Sequence, residues 1–200
     1  MTKNTKAFID HVKSECAKYG IKCKLKPVSY LRLSNNIKCS GYFDESSLEL
    51  VCAMNREDSL EILVHEYAHM TQWLDNCDIW KKMIKYDSVN KMDAWLSKKE
   101  VVRDYKKHID IVKYLELDNE KRSVNIIKKF NLDIDLDHYI KKANAYVQFY
   151  NHIKTTRRWS TPKNSPYTNI SVINVMSPTF RMNYRKMSKK VIKAFQISGI

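Results

Sequence analysis

Apolar residues recur at helical spacing from 5 to 19, where Phe8, Ile9, Val12, Cys16 and Tyr19 share one side and Gly20 supplies a stop. The period then drops to two: Ile21, Cys23 and Leu25 alternate with lysines, which predicts a strand with one wet face. Extended segments at 37–43 and 48–54, joined by the turn Asp44-Glu45-Ser46-Ser47, predict a hairpin. Gly41 inside that pattern marks a bulge or a close backbone approach. Asn55, with Asp58 three residues on, predicts the cap of a helix over about 56–74 that carries Leu60, Leu63, Val64, Tyr67 and Met70 on its apolar side. Short helices are expected near 79–86 and 90–97, and a long one over about 99–130 whose periodicity leaves room for a break. After a connector at 132–137, a further helix is predicted over about 137–156. The chain then becomes rich in Pro, Ser and Asn, which reads as an extended arm ending in a short basic helix near 184–197.

A helix, then strands, then mostly helices predicts an α+β fold: a small N-terminal antiparallel sheet packed on the 56–74 helix, followed by a mainly helical half. The expected division is a compact domain over 1–156 and a basic arm over 157–200.

Composition narrows the class. With 200 residues, 44% apolar and 29% charged, the chain has the makings of a packed core, and its 3 Gly and 4 Pro exclude collagen-like and flexible-linker architectures. No apolar run is of membrane-spanning length, and Asp10 and Lys13 interrupt any leader-like segment, so no membrane partner is expected. Five cysteines, at 16, 23, 39, 52 and 77, include no C-x-x-C pair, which speaks against a disulfide framework and for a reducing, cytoplasmic setting. Charge is lopsided. Residues 1–100 hold 16 basic and 14 acidic residues, whereas twelve Lys and Arg and no acid follow Asp137. Such a half suits a polyanion, with Arg157, Arg158, Arg181, Arg185 and Lys186 as candidate nucleic-acid contacts and Lys189 and Lys190 beside them. Trp159, Tyr167, Phe180 and Tyr184 interleave with these cations and are read chiefly as anchors packing the arm on the core.

The chemistry centres on His65-Glu66-Tyr67-Ala68-His69, an H-E-x-x-H inside a predicted helix. Random order of these residues would produce the pattern in roughly one chain in a hundred. Residues four apart stand one turn along the helix and about 40° around it, so both imidazoles reach one metal ion. Glu66 adjoins an open coordination position without being a ligand. Neutral imidazoles suit Zn2+, one per chain.

A third ligand is needed. Asp75 stands six residues after His69, where the H-E-x-x-H-x-x-G-x-x-H pattern has its third His, and Gln72 replaces that pattern's Gly. Glu116 and Glu120, also four apart, continue the apolar stripe of Tyr105, Ile109 and Val112; two acids there repel each other and resist burial, costs that a dication relieves.

This combination resembles the gluzincin metallopeptidases, in which an H-E-x-x-H helix is followed by a helix carrying Glu-x-x-(small)-acidic. The resemblance covers about 37–131. It implies either Glu116 as ligand with Glu120 as supporting acid and Asn119 at the small position, or Glu120 as ligand with Ser123 at the small position and Val124 in place of the acid. It also implies that strand 48–54 is the edge strand lining the cleft. More loosely, the chain is similar to small H-E-x-x-H proteins encoded by tailed phages, which would place it in a host cytoplasm.

The expected function is a zinc metalloendopeptidase acting on protein or peptide substrates, through a zinc-bound water activated by Glu66. Tyr146, Tyr150, His152 and Tyr167 are weighed as oxyanion donors and read as packing residues, and His11, His108 and His138 as ordinary hydrogen-bonded histidines. The alternative is a basic nucleic-acid-binding or virion-associated protein with a structural or vestigial zinc site.

Overall fold

The computed structural model describes residues 1–33, 38–161 and 164–200. Ile37 of the first hairpin strand, and Pro162 and Lys163 of the 157–200 segment, lie outside the described residues. The elements are α1 (Lys3–Lys18), β1 (Lys22–Lys26), β2 (Leu31–Arg32), β3 (Lys38–Cys39), β4 (Gly41–Asp44), β5 (Glu49–Ala53), α2 (Ser59–Leu74), α3 (Asp78–Lys85), α4 (Ser88–Leu96), α5 (Tyr105–Phe130), α6 (Leu136–Thr156), α7 (Ile170–Ile173) and α8 (Lys189–Ser198). This is the α+β order read from the sequence. No helix among the described residues is long and apolar enough to cross a membrane.

The chain forms two compact units, one of residues 1–77 with 119–134 and the other of 78–118 with 135–200, and α5 runs unbroken from the second into the first.

In the first unit a three-stranded sheet has the order β1-β5-β4. The β4–β5 hairpin is antiparallel, pairing Gly41 with Cys52 and Asp44 with Glu49, and its turn is tied by Asp44, which accepts from the Ser46 and Ser47 hydroxyls. β1, however, joins β5 in parallel, so the sheet is mixed where an antiparallel one was expected. The reason is burial. All but the first residue of β5 are buried, and such a strand needs a partner on each side, but the alternation of Cys23 and Leu25 carries no strand direction. β5 is thus central and β4 lies at the edge, a correction to the assignment of 48–54 as the edge strand.

α2 begins at Ser59 rather than 56, because both oxygens of Asp58 are taken by the Arg56 guanidinium at 2.7 and 2.8 Å and Asp58 makes no side-chain cap. α1 lies across α2 and the end of α5: Phe8 packs on Tyr67 and Phe130, and His11 Nε2 is 2.9 Å from the Tyr67 hydroxyl.

In the second unit α5 starts at Tyr105, later than 99, since Lys98 adopts left-handed backbone as α4 ends and Val101 stays in solvent. Residues 157–200 contribute to this unit's core. Val172, Ile173, Met176, Val191 and Phe195 join Phe149 and Ile153 in one buried cluster. Tyr184, fully buried, donates to Asn144 Oδ1 and accepts from the Arg181 amide at 3.0 Å. Trp159 sets its edge on Phe149, and Tyr167 stacks on Tyr146. The aromatics act as anchors, and the segment is folded where an extended arm was expected, because it brings its own apolar residues.

Candidate metal centre

α2 is amphipathic, and its inward face seats Leu63, Val64, Tyr67, Ala68 and Met70. That places His65 and His69 together at its half-buried border, with ring centroids 4.8 Å apart and planes 84° to each other. His65 Nδ1 lies 3.2 Å from Glu120 Oε1 and 3.0 Å from Asn119 Nδ2. His69 Nδ1 lies 2.9 Å from Gln72 Oε1. Gln72 Oε1 only accepts, so His69 donates to it from Nδ1, whereas His65 Nδ1 stands between an acceptor, Glu120 Oε1, and a donor, Asn119 Nδ2.

α5 places Glu116 one turn before Glu120 on the same helix face. His65, His69 and Glu116 each offer a donor atom, and these atoms all lie within 4.8 Å of one another. Ligands on a tetrahedral zinc ion stand about 3.4 Å apart at bond lengths near 2.1 Å, a contraction within reach of side-chain torsions. Two imidazoles and one buried carboxylate fit zinc better than magnesium or calcium, which favour oxygen ligands throughout. The Glu116 charge is felt nearby: burial first, then the Tyr146 phenol and the Glu116 carboxylate, push Tyr150 well above its ordinary range.

Glu66 is directed to the sheet. A Cβ built on Gly41 would lie 2.9 Å from Glu66 Cγ and 3.2 Å from its Oε1, so the close backbone approach expected at Gly41 is an approach to this carboxylate. The same charge adds to the effect of burial in raising the Cys39 and Cys52 thiols.

The remaining candidates have other partners. Asp75 pairs with Arg122, which also reaches Thr71 Oγ1 at 3.3 Å. His108 meets Ser88 and Asp104, and His138 stands exposed with its amide capped by Asp135. His152 donates from Nε2 to the Ile200 carbonyl at 2.8 Å and stacks on Phe195. Tyr150 is buried with its hydroxyl 2.9 Å from that of Tyr146. Of the basic residues, Arg157 stacks over Trp95 and donates from Nε to its carbonyl at 2.8 Å, and Arg181 is half-buried, whereas Arg158, Arg185 and Lys186 are exposed.

Sequence reasoning missed Gln72 and Asn119 as partners of the histidines. Gln72 was legible in principle, three residues after His69 on the same helical face and buried although polar. Asn119 carried no such signal; its Oδ1 is buried with no hydrogen-bond partner among the described residues. No protein-family model, no curated protein and no solved structure matches this chain.

Proposed function

We propose that the protein is a zinc-dependent peptidase. One observation carries this reading: His65, His69 and Glu116 each bring a possible ligand atom to within 4.8 Å of the others. The ligands in this reading are His65, His69 and Glu116. Glu120 is the supporting acid, since its carboxylate lies on His65 and is fully buried there. Such partners orient a ligand ring and raise its basicity.

Zinc held there would supply a Lewis acid that brings the pKa of a bound water towards ~7. Glu66 accepts the proton of the attacking water and passes it to the leaving amine, a role open to a carboxylate that is not itself a ligand. β4, the edge strand of this sheet among the described residues and beside Glu66, offers main-chain groups that an extended peptide could pair with. The test is direct. Purified protein should carry about one zinc per chain and hydrolyse an unfolded, dye-labelled protein, and a chelator should abolish the hydrolysis until zinc is restored. Stoichiometric zinc with no turnover of any unfolded substrate would leave the enzyme reading without support.

A second reading rests on a separate feature, the exposed cations Arg158, Arg185, Lys186, Lys189 and Lys190 in a stretch without acids. They suit a polyanion such as nucleic acid, alone or as a means of bringing the peptidase to DNA-bound substrates. If all five contact phosphates, the logarithm of affinity falls with the logarithm of salt at a slope near −4, measured by fluorescence anisotropy. Alanine at Arg185, Lys186, Lys189 and Lys190 should flatten that slope to about −1, and an unchanged slope removes this reading.

A further inference from the structure

Gly41 is the first residue of the edge strand β4, where glycine brings no side chain to the core. Its backbone does not need glycine's freedom, because the glycines with positive φ are Gly20 and Gly199. The need is steric. A Cβ at 41 would stand 2.8 Å from Ile62 Cγ2, 2.9 Å from Glu66 Cγ and 3.2 Å from Glu66 Oε1. Ile62 and Glu66 are four apart on α2 and so form one ridge of that helix, which lies against the Gly41 backbone. The strand in turn is held in register by its pairing with Cys52. The stem of Glu66 is therefore flanked by main chain, which has no rotamer and cannot yield.

We propose that Gly41 is a positioning residue for Glu66: the bare backbone at 41 is the surface on which the Glu66 side chain is laid, and any side chain there displaces the carboxylate. The catalytic consequence rests on the zinc-peptidase reading of Glu66, but the contact itself does not, and the two are tested separately.

The contact is tested on metal-free protein by thermal melting of Gly41→Ala, Glu66→Ala and the double variant. Overpacking at 41 should lower Tm by about 3–10 °C in the parent and by no more than about half as much when Glu66 is already alanine. Additive losses overturn the proposal. If Gly41→Ala alone does not fold, the double variant decides: its folding identifies the Glu66 stem as the obstacle, and its failure to fold overturns the idea. Consequence is tested on the zinc-loaded protein. Gly41→Ala should lose about 10- to 100-fold in kcat at unchanged KM and unchanged zinc content. Adding Ile62→Ala, which clears the helix contact but not the carboxylate, should leave kcat low. Recovery of kcat in that variant would make Gly41 a spacer for the helix alone and overturn the positioning role. A parent protein with no hydrolysis at all would defeat the peptidase reading while the melting experiment still decided the contact.

Discussion

Glu66→Gln should retain about one zinc per chain and lose hydrolysis by about 10²- to 10⁴-fold, measured as kcat on an unfolded protein substrate. The amide keeps the size and shape of the carboxylate, so it still fits against the Gly41 backbone, where Glu66 Cγ comes within 2.9 Å of a built Cβ. What it lacks is the capacity to take up a proton at neutral pH. Metal retention is expected because the convergent donors are His65, His69 and Glu116, and Glu66 is not among them. Loss of zinc together with activity would move Glu66 into the ligand set; unchanged activity would remove it from the chemistry.

Zinc affinity should separate the two acids of α5. In Glu116→Gln, affinity measured by competition with a chromophoric chelator should fall by more than about 100-fold, since an amide oxygen replaces a charged ligand. In Glu120→Gln the loss should stay within about 10- to 100-fold, the range for a partner that acts through a ligand. A glutamine at 120 keeps a hydrogen-bonding amide beside His65 Nδ1, which lies 3.2 Å from Glu120 Oε1, so the ring keeps its orientation and loses the charge behind it. The reverse order of effects would make Glu120 the ligand and Glu116 the support.

These two acids illustrate what a linear chain leaves open. Glu116 and Glu120 share a helix face, and either phase of the Glu-x-x-(small)-acidic pattern can be written through them. In the proposed reading the distinction rests on the 3.2 Å approach of Glu120 to His65, which depends on where α5 lies along α2, and spacing within one helix does not encode that. Gln72 and Asn119 belong to the same category, as buried polar partners whose worth comes from the atom they face. Gly41 stands between the two cases: a glycine in a strand announces a close approach, but the identity of the approaching group is tertiary.

The misplaced elements have similar causes. α2 starts late because Arg56 takes the Asp58 carboxylate that would have capped an earlier turn. Direction in the sheet was invisible because alternation in β1 records which face is wet and nothing about the neighbour's polarity. The 157–200 segment reads as an arm by its Pro, Ser and Asn content, yet Tyr184, Val191 and Phe195 are among the most buried side chains of its unit.

By itself, then, the sequence determined the α+β order, the β4–β5 hairpin, the positions of most helices and the pairing of His65 with His69, because periodicity, turn chemistry and i, i+4 spacing are local quantities. Only the tertiary structure decided where Glu116 and Glu120 stand against the histidines, which strand is central, what lies against Glu66 and where the C-terminal segment goes. Each of those depends on contacts between residues far apart in the chain, and such contacts are set by how whole elements pack to bury their apolar faces and satisfy their buried polar groups.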